Sequence, residues 1–84
     1  MNMGVLKAVA DETRLEMLEK ISADEICACE LPAVVKKTQP AVSQHLQVLY
    51  DAGLVERRKE GTKRIYSLSR KGADVLKDIS RWCL

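Results

Sequence analysis

The sequence contains no phenylalanine, and it has only one tryptophan and two tyrosines among its 84 residues. A core without large aromatic side chains is aliphatic and thin, so a chain of this length gains stability by burying a further surface in a dimer. No segment approaches the ~18 consecutive apolar residues that a membrane span needs, and the first residues carry no cleavable signal pattern. We therefore expect a single cytoplasmic domain over residues 1–84, without contact with a membrane.

Cysteines are also few, at positions 27, 29 and 83. Their number is odd, and Cys27 and Cys29 stand too close in sequence to pair without strain. This pattern excludes a disulfide framework and predicts reduced thiols. The sequence also lacks a carboxylate pair, a nucleophile–base set and a phosphate-binding glycine loop, so we do not expect an enzyme.

The net charge of +2 is small, but it is unevenly distributed. Residues 1–30 hold three basic and seven acidic side chains, whereas residues 31–71 hold nine basic and three acidic ones. A basic surface confined to one part of a fold is typical of a protein that binds nucleic acid. The middle of the chain is therefore the first candidate for such a surface.

Two helices are predicted before the first proline. Val5, Leu6 and Val9 have the spacing of a short first helix, and Asp11 is the predicted N-cap of the second. The predicted buried stripe of this second helix consists of Leu15, Leu18 and Ile21.

Pro32 sets the start of the third helix, because proline is tolerated in the first turn of a helix but not in its interior. We predict this helix from Leu31 to Lys37, followed by a turn at residues 38–39. Pro40 is then expected to open a fourth helix, which extends to about Ala52.

The fourth helix has two distinct faces. Gly53 is its predicted stop, and its apolar residues recur at the spacing of one buried stripe. That stripe is Val42, Leu46 and Leu49. The opposite face is small and rich in amides, and it consists of Ser43, Gln44, Gln47 and Asp51.

After Gly53 the pattern changes to a period of two, which predicts a β-hairpin over residues 54–68 with a basic tip and a turn at Glu60-Gly61. Ser69 is the predicted cap of a closing helix. Its apolar stripe is Val75, Leu76, Ile79, Trp82 and Cys83. A mainly α-helical chain with four helices, one small β-hairpin and a fifth helix describes a winged helix-turn-helix domain.

In a helix-turn-helix the polar face of the second helix meets base edges in the major groove, and the glutamine amide matches adenine there. The candidates for base edges and nearby phosphates are Thr38, Gln39, Ser43, Gln44 and Gln47, with His45 in second rank. The candidates for phosphate contacts are Lys36, Lys37, Arg57, Arg58, Lys59, Lys63 and Arg64. A solvated basic hairpin in a protein-interaction module is the alternative interpretation.

Three segments of the sequence resemble the ArsR/SmtB family of dimeric winged-helix repressors. "ADETRLEMLEKI" resembles the family's second helix, and "EICACELP" resembles its metalloid-site segment. "QPAVSQHLQVLYDAGLVERRKEGTKRIYSLS" resembles its recognition helix and wing. The resemblance implies a homodimeric repressor that binds double-stranded operator DNA without a cofactor and releases it when an inducer binds. The expected dimer contacts are Leu6, Val9, Val75, Ile79 and Trp82.

The family's ligand sites match this sequence unequally. One site combines carboxylates with histidines on the closing helix, and here Asp74 and Asp78 stand without a histidine, so we do not expect it. The other site uses a Cys-x-Cys, which Cys27 and Cys29 supply.

Such thiolates prefer thiophilic ions, namely As(III), Sb(III), Cd(II), Pb(II) or Cu(I), with Zn(II) also considered. The similar arsenite-responsive members have a third cysteine where this chain has Pro32, which leaves Cys83 as the candidate third ligand. A repressor that responds to thiol oxidation or to sulfur species through the same two cysteines is the main alternative.

Overall fold

Five α-helices and three β-strands make up the protein in a computed structural model that describes residues 2–82. In chain order they are α1 (Met3–Val9), α2 (Glu12–Ala23), β1 (Ile26–Cys27), α3 (Leu31–Val35), α4 (Gln39–Asp51), β2 (Val55–Glu60), β3 (Lys63–Leu68) and α5 (Arg70–Trp82). The helix-turn-helix is formed by α3 and α4, and the β2–β3 hairpin is the wing. This order of elements agrees with the predicted winged helix-turn-helix.

Polar side chains define the starts of α2 and α4. The Asp11 carboxylate accepts a hydrogen bond from the backbone N–H of Arg14 at 3.0 Å, which confirms the predicted N-cap. This bond is the main reason why the pKa of Asp11 lies below its ordinary value. Thr38 caps α4, because its hydroxyl oxygen accepts from the N–H of Ala41 at 3.3 Å.

The buried stripe of α2 differs from the predicted one. Leu18 and Ile21 are buried as expected, but Met17 is fully buried where Leu15 was predicted, and Leu15 is only half-buried. The difference arises because α2 contacts α1, α3, α4, α5 and β3, so its apolar face is wider than a single row.

The turn between α3 and α4 begins earlier than predicted and spans residues 36–38. Lys36 adopts the left-handed conformation, with φ 57° and ψ 47°, so α3 ends at Val35 and not at Lys37. Helix α4 then begins at Gln39, one residue before the predicted start at Pro40.

A strand that the sequence did not predict lies beside the wing. The sheet has the order β1-β3-β2, and β1 pairs with β3 through Ile26 opposite Tyr66 and Cys27 opposite Ile65. The backbone N–H of Ala28 extends this pairing by donating to the carbonyl oxygen of Arg64 at 2.9 Å. The segment that holds the cysteines is therefore hydrogen-bonded to the wing.

Helix α5 packs against the α4–β2 corner through two residues. The hydroxyl of Ser69 donates to the carbonyl oxygen of Gly53 at 2.6 Å and accepts from the N–H of Gly72 at 3.0 Å, which confirms Ser69 as the cap of α5. A Cβ on Gly72 would lie 2.1 Å from the carbonyl oxygen of Leu54, so only glycine fits this approach.

The core is aliphatic, with one tyrosine. It consists of Val5, Ala8, Met17, Leu18, Ile21, Leu31, Val35, Val42, Leu46, Leu49, Leu54, Val55, Tyr66 and Val75. Over the described residues, none of the helices has the length and apolar character that crossing a bilayer requires.

Candidate nucleic-acid interface and cysteine pair

The outer face of α4 is arranged as the sequence predicts. The side chains of Val42, Leu46 and Leu49 are at most 1% exposed, which fixes this helix to the core. The opposite side chains, Ser43, Gln44, Gln47 and Asp51, are all exposed. Because the apolar face of α4 is buried in the core, its row of short polar and amide groups is exposed to solvent.

Most polar groups on this face already have partners within the protein. The Gln39 amide donates to the Ser43 hydroxyl at 3.5 Å, and the Gln47 amide donates to the Asp51 carboxylate at 2.8 Å. In contrast, Gln44 makes no side-chain hydrogen bond to any residue between 2 and 82. The predicted base-edge residues therefore differ in how freely they can meet a base.

The register of the wing separates its predicted phosphate contacts into two sets. Side chains directly opposite each other in a ladder lie on the same face. Arg57 pairs with Tyr66, and Lys59 pairs with Arg64. One face of the wing therefore carries three cations, namely Arg57, Lys59 and Arg64. Lys63 and Arg58 lie on the other face. Lys36 and Lys37, before α4, are exposed.

Arg57 joins the wing to the recognition helix. Its guanidinium carbon lies 3.7 Å from the centre of the Tyr50 ring, and its Nη1 donates to Gln47 Oε1 at 3.3 Å. The hydroxyl of Tyr66, and to a smaller extent that of Tyr50, raises the pKa of Arg57. Neither tyrosine was among the predicted site residues, although an exposed aromatic such as Tyr50 on a polar helix face is a recognisable signal.

Arg58 is engaged by carboxylates. Its two terminal nitrogens bind Glu25 at 2.8 and 2.7 Å, and Nη2 also lies 2.7 Å from Glu60. These contacts raise the pKa of Arg58 and lower that of Glu25, in each case chiefly through their shared hydrogen bonds. Arg58 must leave two carboxylates before it can bind phosphate, which its position in the sequence did not reveal.

His45 lies at the edge of the core, as expected. Arg14 Nη1 is 3.2 Å from His45 Nδ1, and the same guanidinium donates to the carbonyl oxygens of Ala8 and Lys7 at the end of α1. Because arginine has only donors, Nδ1 of His45 is the acceptor in this contact. His45 thus links α4 to α1 through Arg14.

The two cysteines converge at the end of β1. The Cα atoms of Cys27 and Cys29 are 5.2 Å apart and their sulfur atoms are bonded as a disulfide, so the prediction that these residues do not pair is wrong for this structure. They can meet because Cys27 ends the strand and Cys29 lies in the following turn, before α3 begins at Leu31. Cys27 is buried, with 6% exposure, whereas Cys29 is exposed.

A cleft of about 500 Å³ joins the cysteine pair to the interface just described. Cys27 and Cys29 form one wall, Gln39 and Ser43 of α4 form another, and Lys63 and Arg64 of the wing close it. The cysteine sulfurs and candidate DNA-binding residues therefore line the same space.

When the disulfide is reduced, Cys27 and Cys29 supply two thiols as metal donors. Two thiolates suit a thiophilic ion chemically, although a three-coordinate ion needs one more donor. Within residues 2–82, no group of three or more cysteine, histidine or carboxylate side chains is placed to hold a metal. Asp74 and Asp78 are therefore not part of such a group. The candidate third ligand, Cys83, lies outside the described residues.

The predicted dimer contacts differ in exposure. Leu6 and Trp82 are 50% and 85% exposed, Val9 and Ile79 are half-buried, and Val75 is buried in the core of the single chain. Val75 therefore has little surface left for a partner.

Comparison with known proteins identifies the family. Residues 11–57, more than half of the chain, match the model of the arsR family of bacterial regulatory proteins. The chain belongs to this family. The match covers α2, the cysteine pair, α3, α4 and the first half of strand β2, and it confirms the predicted class of DNA-binding regulator as opposed to an enzyme.

Individual relatives agree with this assignment. A relative from Halobacterium salinarum, named for an arsenical resistance operon repressor, is 49% identical over 67 residues, which are 77% of this chain and 56% of that protein. The arsenical resistance operon repressor of Staphylococcus xylosus is 39% identical over 72 residues, or 86% of this chain and 69% of that protein. The crystal structure of NolR from Sinorhizobium fredii superposes with a TM-score of 0.84 at 32% identity, covering 93% of this chain and 79% of NolR.

Proposed function

We propose that the protein is a homodimeric transcriptional repressor that binds double-stranded operator DNA through α4 and the wing. It releases this DNA when a thiophilic ion, with As(III) as the first candidate, binds Cys27 and Cys29. Family membership and the names of the arsenical resistance repressors support the class of function. Operator DNA lies in the cytoplasm, which is the location that we propose for the protein.

The cleft shared by the cysteine pair and α4 is the observation that carries this proposal. An ion held by the two sulfurs would occupy space that is also lined by Gln39 and Ser43. Any change in the size or charge of that site therefore acts directly on groups that face DNA.

The sheet provides a second route from the cysteines to DNA. Cys27 pairs with Ile65 of the wing, and Glu25, two residues earlier, holds Arg58. Movement of the segment from 25 to 29 would therefore shift the wing as well as α3. A coupling of ~1–3 kcal/mol between ion and DNA would change DNA affinity by roughly 5- to 150-fold, which is enough to control a promoter.

Titration of the reduced protein–DNA complex with arsenite, antimonite, cadmium and zinc tests the proposal. The double variant Cys27→Ser/Cys29→Ser should keep its DNA affinity and lose the response to the ion that releases the wild type. Cys83→Ser, measured alongside, tests the candidate third ligand, because it removes that thiol and leaves the pair intact. If the double variant releases DNA at the same ion concentration as the wild type, the pair is not the sensor.

A thiol-redox repressor is the second candidate, and the direct contact of the two sulfurs favours it. Its chemistry would convert two thiols into one disulfide, with loss of two protons and transfer of two electrons to an oxidant such as a peroxide. Release of DNA by hydrogen peroxide in the absence of metal, and its reversal by a dithiol reductant, would support this candidate over the metal sensor.

The homodimer is part of the proposal. Leu6 and Trp82, together with Met3 at 68% exposure, leave apolar side chains on α1 and α5 without cover in the single chain. Sedimentation equilibrium of the wild type and of Leu6→Glu measures this directly, since a charge at a buried interface should convert the dimer into monomers.

A further inference from the structure

Two amides on α4 are predicted to contact bases, but the structure gives them different surroundings. Gln44 and Gln47 are three residues apart on the same exposed face of the helix. Gln47 donates through its amide nitrogen to Asp51 and accepts through its amide oxygen from Arg57. Gln44 has neither contact within the described residues.

These contacts fix the orientation of the Gln47 amide. Recognition of adenine by glutamine uses the amide oxygen and the amide nitrogen together, one as acceptor and one as donor. In Gln47 one N–H and one oxygen lone pair are already engaged by side chains of this chain, so contact with adenine must either accept this fixed orientation or break these bonds at a cost. Gln44 has no such cost, and it lies nearer to the N-terminal end of α4, the part of a recognition helix that contacts base edges.

Two side chains of α4 hold Arg57, which distinguishes it from a flexible phosphate contact. It stacks on Tyr50 of α4, binds Gln47 of α4 and lies opposite Tyr66 in the sheet. A guanidinium can stack and form planar hydrogen bonds at the same time, which an ammonium cannot do. The contacts therefore tie strand β2 to the recognition helix at a defined angle.

We propose that Gln44 carries the direct base contact of α4, and that Arg57 is a positioning residue that locks the wing to the helix through Tyr50 and Gln47. This inference rests on the proposed function, because it concerns how the same face selects DNA. It assigns base selection to one glutamine and wing geometry to the other.

The first test compares base preference. A duplex selected by the wild type from a random-sequence pool, and its single base-pair variants, are measured with the wild type, Gln44→Ala and Gln47→Ala. Gln44→Ala should reduce the preference for adenine at one position by about 5- to 150-fold, the range for one bidentate contact. Gln47→Ala should weaken all duplexes by a similar factor and keep their ranking. The reverse pattern overturns the assignment.

The second test asks whether Arg57 binds phosphate. A lost phosphate contact lowers the slope of log K against log salt by about 0.9. Arg57→Ala should lower affinity and leave this slope unchanged, and Arg57→Lys should not rescue affinity. Lys59→Ala, on the same face of the wing, serves as the comparison and should lower the slope. If Arg57→Ala lowers the slope by the full amount and Arg57→Lys restores affinity, Arg57 is a phosphate contact and not a positioning residue.

The third test separates this inference from the proposed function. Unfolding of the free protein is measured for Tyr50→Leu, Arg57→Ala and the double variant. The two single effects should be non-additive by about two- to fivefold in the unfolding equilibrium constant, the range of an exposed cation–π contact. Additive effects would show that Tyr50 and Arg57 do not stabilise each other in the free protein. Failure of the wild type to bind any duplex would overturn the proposed function, and with it the role of Gln44, even if the lock is present.

Discussion

The carboxylate of Glu25 binds the guanidinium of Arg58 through two hydrogen bonds of 2.7 and 2.8 Å, across 33 positions of the sequence. Glu25 precedes the cysteine pair and Arg58 lies in the wing, so this ion pair joins the proposed sensor to the proposed DNA-binding surface. In the free protein, this ion pair occupies the guanidinium of Arg58, which is a candidate phosphate contact.

Replacing Glu25 with glutamine should leave Glu60 as the remaining carboxylate that holds Arg58, so Arg58 should become more available to phosphate. We expect Glu25→Gln to raise DNA affinity and to steepen the dependence of log K on log salt by up to about 0.9, the contribution of one additional phosphate contact. Binding measured at four salt concentrations gives both values. Glu56→Gln is the control, because it removes the same charge from an exposed carboxylate that has no ion pair within residues 2–82. Equal effects of the two variants would show that overall charge, and not the ion pair, is responsible.

Gly72 should be intolerant of any side chain. A Cβ there would lie 2.1 Å from the Leu54 carbonyl oxygen and 2.8 Å from Leu68 Cδ1, so α5 must shift in Gly72→Ala. We expect a loss of about 1–3 kcal/mol in the free energy of unfolding, as for an overpacked core. Urea denaturation measures it.

Gly4→Ala is the matched control for Gly72, since among residues 2–82 a Cβ at Gly4 meets only Asn2 Oδ1, at 3.4 Å. It should stabilise the protein by about 0.5–1 kcal/mol, because alanine is the better helix former. A Gly72→Ala variant as stable as the wild type would contradict the packing described for α5.

Asp11 should make the stability of α2 depend on pH. The N–H of Arg14 is the main cause that holds the pKa of Asp11 below its ordinary value of 3.8. A carboxyl whose pKa is lower in the folded state stabilises the protein above the pKa of the unfolded state. This contribution is lost as the pH falls through the lower folded pKa.

The test for Asp11 is urea denaturation at pH 7 and at pH 3. Asp11→Ala should cost about 1 kcal/mol at pH 7, as for other lost N-caps, and less at pH 3. Asp11→Asn keeps a capping oxygen without the charge, so it should lose part of the stability at pH 7 and lie closer to the wild type at pH 3. A cost of Asp11→Ala that does not change between the two pH values would contradict the role of the charge.

The two cysteines should react at different rates in the reduced, native protein. Cys29 is exposed and Cys27 is 6% exposed, so iodoacetamide should modify Cys29 first. Peptide mass spectrometry at successive times gives the two rates, and denaturing urea should make them similar. Equal rates in the native protein would contradict the burial of Cys27.

Much of this architecture follows from local signals in the sequence. Asp11 and Ser69 mark helix starts because short polar side chains cap helices, and the stripe of α4 follows from its apolar spacing. The predicted end of α3 was two residues too late, because the left-handed conformation of Lys36 is unusual for a residue that is not glycine.

The features that the sequence did not reveal depend on contacts between distant segments. Strand β1 has only two residues and exists through its pairing with β3, so it has no alternating pattern to detect. The partners of Arg57 and Arg58 are likewise outside any local pattern. The sequence shows only two adjacent cations on a wing. In the structure Arg57 stacks on Tyr50, and Arg58 forms an ion pair with Glu25.

The most direct test of the coupling between the cysteine pair and DNA is calorimetric titration of arsenite into the reduced protein, free and bound to DNA. Linkage requires each ligand to change the affinity of the other by the same factor. We predict that the DNA-bound protein binds arsenite more weakly than the free protein, by the factor with which arsenite weakens DNA binding. Equal arsenite affinity in the two states would contradict the account.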